Sequence, residues 1–185
     1  VVRDTINRFG QVGIMVTHVG FGPPGRPSEF SDETIMEAME QNFLSAIRLT
    51  REVTPYMKQQ RWGRIINIAS INAKVTAMHG AAYTVSKHAL AGLTKSTAVE
   101  VVQDGITANA VCPGVTRTAM NDKRLEYDEQ RTGMAFAELE KNASPLGRRL
   151  LPEEIAAMTV FLATEAASGI NGQLLNVCGG RVLAA

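Results

Sequence analysis

Short apolar runs alternate along this chain with much longer stretches of helical periodicity, and that alternation constrains the fold to a parallel sheet covered by helices. A parallel strand buried on both faces has no solvent side, so it forms a continuous apolar run rather than an apolar-polar alternation. Gly-Arg-Ile-Ile-Asn-Ile-Ala-Ser at 63–70 is such a run, and strands are expected near 12–17, 64–69, 106–112 and 173–177. Between them, Ser31 to about Gln60 predicts a helix capped by Ser31 or Asp32, with Ile35, Met39, Phe43, Ile47 and Leu49 as its apolar residues. A second long helix is expected from about Ala81 to Gln103. A third runs from Pro152 to about Thr164, opened by Pro-Glu-Glu in the preferred first-turn positions. A length of 185 residues suits one domain, 1–185, around one core.

Charge and cysteine usage narrow the class further. A formal net charge of +1 with 20% charged residues points away from a nucleic-acid surface. No run of about twenty apolar residues could span a bilayer. Cys112 and Cys178 both lie in strand-like apolar runs, so buried reduced thiols in a cytoplasmic protein are expected. No spacing of His, Cys, Asp and Glu suggests a metal site.

The residues that carry chemistry begin with Tyr83 and Lys87, in Ala-Ala-Tyr-Thr-Val-Ser-Lys-His. Four residues apart on a helix, their side chains stack on one face. An ammonium beside a phenol favours the phenolate and is expected to pull a hydroxyl that titrates near ~10 toward neutrality, where it can exchange protons with a substrate oxygen. Ser70 closes the 63–70 run, thirteen residues before Tyr83. At the carboxyl end of a strand in an open α/β sheet, a hydroxyl points into the crevice where ligands bind, so Ser70 can hold the oxygen that Tyr83 protonates. Asn42, in Met-Glu-Gln-Asn-Phe-Leu-Ser-Ala, could hold a water that relays protons to Lys87.

Asn42, Ser70, Tyr83 and Lys87 at these spacings resemble the catalytic tetrad of the short-chain dehydrogenase/reductase family. Gly-Ile-Thr-Ala-Asn-Ala-Val-Cys-Pro-Gly-Val-Thr-Arg-Thr at 105–118 resembles the family's sixth strand and Pro-Gly loop, and Ile-Asn-Gly-Gln-Leu-Leu-Asn-Val-Cys-Gly-Gly at 170–180 its seventh strand and tail. The resemblance implies a Rossmann-like doubly wound parallel sheet flanked by helices, binding NADP or NAD. It implies hydride exchange between that cofactor and a small-molecule carbonyl or alcohol. Tyr83 would be the acid or base, Ser70 would hold the substrate oxygen, Lys87 would lower the tyrosine pKa and hold the nicotinamide ribose, and Asn42 would support the relay. Cofactor contacts are implied for Val19, Gly20, Asn42, Tyr83, Lys87, Pro113, Gly114, Val115 and Thr118. Val-Cys-Pro-Gly and Leu-Asn-Val-Cys-Gly-Gly are particularly similar to polyketide ketoreductases and 3-ketoacyl reductases, and the family's D2 tetramer implies a homotetramer or homodimer here.

Two departures qualify the resemblance. The family's opening strand and Thr-Gly-x-x-x-Gly-x-Gly turn, whose backbone N–H groups hold a pyrophosphate, have no counterpart; Val1 to Gly10 instead reads as the end of the helix before the fourth strand. The sheet is therefore expected without its first strands, and a truncated, catalytically silent scaffold or assembly partner is the alternative function. In Gly-Ile-Met-Val-Thr-His-Val-Gly at 13–20, Thr17 and His18 stand where the family has two asparagines, and Val19 where it has alanine. The first asparagine ties adjacent strands in the family, so weaker cofactor binding is expected.

The polar segment 120–149 breaks the alternation and resembles the family's substrate lid, with Tyr127, Met134, Phe136 and Leu139 spaced for a short helix to turn inward. If these residues only pack a surface helix, Arg148-Arg149 is a solvated pair. His79 either lines the pocket or sits in a loop without a role, and His88 is structural. Gly20, Gly22 and Gly25 with Pro23 and Pro24 read as a turn-rich crossover, because no capped helix follows them directly.

Overall fold

The computed structural model describes residues 1–183. Four parallel strands form one sheet in the order of the chain: β1 (Ile14–Thr17), β2 (Gly63–Ile68), β3 (Ile106–Pro113) and β4 (Leu174–Val177). The register aligns Ile14 with Arg64, Gly63 with Ile106, and Ala110 with Leu174. Every residue of β2 is buried, as its unbroken apolar run requires when helices cover both faces.

Alternate residues of β2 serve opposite faces. Ile65 packs with Met15, Ile106 and Ala108 beneath Val53, Met57, Ala98 and Val101, which come from the helices α3 (Ser45–Gln60) and α4 (Ala81–Val101). Ile66 and Ile68 pack on the other face with Val111, Ile155 and Leu162, the last two from α7 (Pro152–Leu162). The four predicted strands, and the helices predicted from Ala81 and from Pro152, are present within about two residues at their ends. Residues 1–10 form a short helix, α1 (Val2–Phe9), ended by Gly10 at φ 74°.

The helix expected over 31–60 is not continuous. Ser31 caps α2 (Asp32–Met39) by accepting from the Thr34 N–H, then a π-helical turn occupies Glu40–Leu44 before α3 begins. One extra residue in that turn faces Asn42 inward, where it is 1% exposed.

The 120–149 segment holds two helices rather than one, α5 (Ala119–Thr132) and α6 (Phe136–Lys141), separated by Gly133 at φ 74°. Residues 115–117 and 150 pair at its neck: the Leu150 N–H donates to the Val115 carbonyl and the Arg117 N–H to the Leu150 carbonyl. The two arginines are not a solvated pair. Arg149, 6% exposed, donates to Asp122 of α5 at 2.6 Å and Glu140 of α6 at 2.9 Å and lies over Phe136, while Arg148 forks onto Glu154 at the start of α7. Tyr127, Met134, Phe136 and Leu139 are half-buried, and Leu125 and Ala143 are buried.

Candidate active site

The site lies beyond the carboxyl ends of β2 and β3, where side chains leave the sheet and backbone groups lose their strand partners. Ser70 follows β2 after Ala69, fully extended at φ −177°, and accepts from the Asn72 N–H at 3.1 Å to open a short 3-10 turn. Its hydroxyl faces the Tyr83 phenol and favours the phenolate. Tyr83 and Lys87 rise from the first turns of α4, and the Lys87 Nζ lies 5.6 Å from the centre of the Tyr83 ring. The ammonium is 2% exposed and donates to the Ile68 carbonyl at 3.0 Å.

Burial governs both titrations. It pushes Tyr83 above the ordinary phenol value, against the lowering effect of the Ser70 hydroxyl, and it brings Lys87 down to about 8. The expectation that Lys87 pulls the tyrosine toward neutrality is therefore not met in this arrangement: the phenol is raised, first by desolvation of the phenolate. A lysine titrating near 8 is instead close enough to neutrality to pass a proton to or from its surroundings.

Asn42 holds backbone rather than an open position for water. Its Oδ1 accepts from the Phe21 N–H at 2.9 Å, and its Nδ2 donates to the Phe21 carbonyl at 2.6 Å and to Ser86 Oγ at 2.8 Å. Ser86 Oγ donates in turn to the Tyr83 carbonyl at 2.8 Å. All four residues of the expected tetrad thus converge, with Asn42 joined to the others through Ser86.

The remaining expected cofactor residues border this cluster. Gly20 lies beside Asn42 and the Met120 side chain, and Val19 is 58% exposed at the end of β1. Pro113, Gly114 and Val115 leave β3, and the Gly114 N–H donates to the Val177 carbonyl. A Cβ on Gly114 would meet the Cys178 Cα at 2.9 Å, so only glycine lets the two segments approach this closely. The Thr118 hydroxyl caps α5 by accepting from the Asn121 N–H at 3.3 Å. These residues fit one end of a dinucleotide: bare backbone at Gly20 and Gly114, and a buried ammonium with a single acceptor for its three hydrogens.

Thr17 ties strands, although it is not asparagine. Its hydroxyl donates to Asn67 Oδ1 at 2.7 Å; Asn67 Nδ2 donates to Thr94 Oγ1 at 2.9 Å, and Thr94 to the Leu90 carbonyl, so β1, β2 and α4 share one buried polar chain. His18 is exposed. His79, at φ 55°, meets Tyr127 of α5 through Nδ1 and Oη at 2.7 Å. Arg124, which the sequence pattern did not single out, donates to the Met78 and His79 carbonyls at 2.6 and 3.3 Å and pairs with Asp128. Helix α5 is thereby fastened to the loop that leads into Tyr83. His88 bonds only the Thr84 carbonyl one turn back. Cys112 and Cys178 are buried free thiols. Among the described residues no group of three His, Cys, Asp or Glu is placed to hold a metal ion, and no helix is long and apolar enough to cross a membrane.

Comparison with known proteins agrees with this geometry. The family described as enoyl-(acyl carrier protein) reductase matches residues 1–181. The chain is 38% identical to a D-beta-hydroxybutyrate dehydrogenase of Cupriavidus necator, covering 98% of this chain and 72% of that protein. It is 36% identical to a putative ketoacyl reductase of Streptomyces coelicolor, covering 97% and 70% respectively. A variant of actinorhodin polyketide ketoreductase, crystallised with NADPH, superposes with a TM-score of 0.92 at 33% identity over 96% of this chain and 70% of that one.

Proposed function

The chain belongs to the short-chain dehydrogenase/reductase family of NAD(P)-dependent oxidoreductases that interconvert ketones and secondary alcohols, and from that premise we propose that Tyr83 is its proton donor and a 3-oxoacyl or 3-hydroxyacyl compound its substrate. The observation that carries the assignment is the buried Lys87 Nζ held by the Ile68 carbonyl at the end of β2, 5.6 Å from the centre of the Tyr83 ring. The substrate class rests on what the similar proteins share: the names of two of them, a hydroxybutyrate dehydrogenase and a ketoacyl reductase, both describe chemistry at the third carbon of an acyl unit.

Lys87, Tyr83, Gly114 and Thr118 would hold the nicotinamide end of the cofactor, which supplies or accepts a hydride at the carbonyl carbon. Ser70 Oγ donates to the substrate oxygen and fixes it within reach of Tyr83. As the carbon takes the hydride, Tyr83 gives its phenolic proton to that oxygen, so the product is a neutral alcohol and the charge left behind is a phenolate. Lys87 stands beside that phenolate and can return a proton to it, since its own pKa is about 8. Asn42, through Ser86, holds the first turn of α4 in place.

The experiment is reduction of a 3-oxoacyl thioester with NADPH and with NADH, by the wild-type protein and by Tyr83→Phe. Loss of the proton donor is expected to lower turnover by about 10²–10⁴ while cofactor binding by fluorescence changes little. Retention of most of the activity by Tyr83→Phe would refute the assignment.

Assembly is part of the same proposal. An open groove of about 820 Å³ runs between α3 and α4, lined by Phe43, Ile47 and Leu93, with Arg51, Lys58 and Glu100 among its charged residues. A second copy of the chain laid across this groove would present the same patch in return, as a two-fold interface requires.

A further inference from the structure

The turn at 20–25 does more than cross from β1 to α2. An ideal Cβ built on Gly22 would lie 2.7 Å from Tyr83 Cδ2, 2.9 Å from Cγ and 3.2 Å from its Cβ. The backbone of Gly22 therefore rests on the root of the Tyr83 ring, and these are not atoms that a flexible side chain can swing away.

The turn is held on both sides of that contact. Before it, both backbone groups of Phe21 are clamped by the Asn42 amide at 2.9 and 2.6 Å. After it, the Gly25 N–H donates to the His79 carbonyl at 2.9 Å, and Gly25 pairs with Gly80 at the start of α4. Asn42 reaches the Tyr83 carbonyl through Ser86. Ring, turn and helix thus form a closed circuit in which each member locates the next.

We propose that Gly22 is a positioning residue for the proton donor: the clamped turn presses on the Tyr83 ring and sets the direction in which its hydroxyl meets Ser70. The contact needs glycine because any side chain would occupy the volume of the ring. The turn is pinned at Phe21 and Gly25, so an added methyl group displaces the ring rather than the turn and carries the phenol away from Ser70. The catalytic consequence rests on Tyr83 being the donor; the geometric claim does not.

The test reads the ring directly, by the Cζ resonance of Tyr83 in protein labelled with carbon-13 tyrosine at neutral pH. Ser70→Ala, which removes the hydroxyl facing the phenol, defines the change that loss of Ser70 from its surroundings produces. Gly22→Ala is expected to move the Tyr83 Cζ signal in the same direction and leave Tyr56 unmoved. Gly169→Ala, where an added Cβ has no atom within 4 Å, is expected to leave Tyr83 unmoved. A Tyr83 signal in Gly22→Ala that stays at the wild-type position, or moves opposite to Ser70→Ala, overturns the proposal. Turnover of Gly22→Ala should fall by ~10–100-fold with little change in KM. A moved signal with unchanged turnover would support the positioning and count against Tyr83 as donor. Should Gly22→Ala fail to fold, nuclear Overhauser contacts from the Gly22 α-hydrogens to the Tyr83 ring in the wild-type protein decide: their presence supports the contact and their absence overturns it.

Discussion

Lys87 shows how one residue's chemistry is set by its burial as much as by its identity. Its side chain enters the protein interior with a single hydrogen-bond partner, and desolvation brings its pKa from 10.5 to about 8. The sign for stability follows from linkage. Between pH 8 and 10.5 the unfolded chain holds a proton on this residue that the folded protein has released, so Lys87 opposes folding below pH 8 and the opposition fades as pH rises. Replacing it by methionine is therefore expected to remove a rise of up to about 1.4 kcal/mol per pH unit across that window. Tyr83 and Cys112, both pushed up by burial, act in the opposite sense at alkaline pH, so the quantity to measure is the difference in urea-unfolding free energy between wild-type and Lys87→Met. A difference that stays flat from pH 7.5 to 10 would contradict the assignment. The spacing of Tyr83 and Lys87 was legible because a helix places residues four apart on one face. The raised tyrosine was not, because its environment is supplied by β2, β3 and the 20–25 turn.

At the scale of elements, the π-helical turn at Glu40–Leu44 and the division of the 120–149 segment into two helices are what the periodicity did not reveal. A π turn adds one residue without changing the apolar pattern by more than a fraction of a turn, so α2 and α3 read as one helix. The segment divides at Gly133, whose left-handed φ ends α5, and is fastened at two ends. Arg149 ties α5 to α6 from within, and Arg124 with Tyr127 ties α5 to the 78–79 loop. Removing a buried arginine whose partners remain leaves Asp122 without this counter-ion and Glu140 paired with Arg117. Arg149→Leu is expected to raise amide hydrogen exchange through residues 119–141 while β2 and β3 stay protected. Uniform loss of protection across the sheet, or none in residues 119–141, would show that Arg149 does not hold α5 and α6 as a separate unit.

For the whole molecule, the exposed apolar residues carry the next expectation. Val99 is 79% exposed and Ile47 37% on the two helices that frame the open groove. Covering such a face recovers about 25 cal/mol for each Å² removed from water. The wild-type protein is expected to be a dimer or tetramer at tens of micromolar by light scattering, and Ile47→Glu to shift it toward monomer by placing two desolvated carboxylates at the interface. A wild-type monomer, or an assembly indifferent to Ile47→Glu, would remove α3 and α4 as the contact.

What the sequence determined by itself is the order and kind of the elements and the identity of the reactive side chains. The apolar run of β2, the serine cap of α2, the Pro-Glu-Glu start of α7 and the Tyr83–Lys87 spacing are local, and local chemistry is written in adjacent residues. What only the tertiary structure decided depends on residues far apart in the chain. Thr17 joins Asn67 and Thr94, Asn42 clamps Phe21, Gly22 meets Tyr83, and Arg124 reaches Met78. Each of these contacts exists because the parallel sheet brings the carboxyl ends of its strands to one edge, and packing there sets both the solvation of Lys87 and the direction of the Tyr83 phenol.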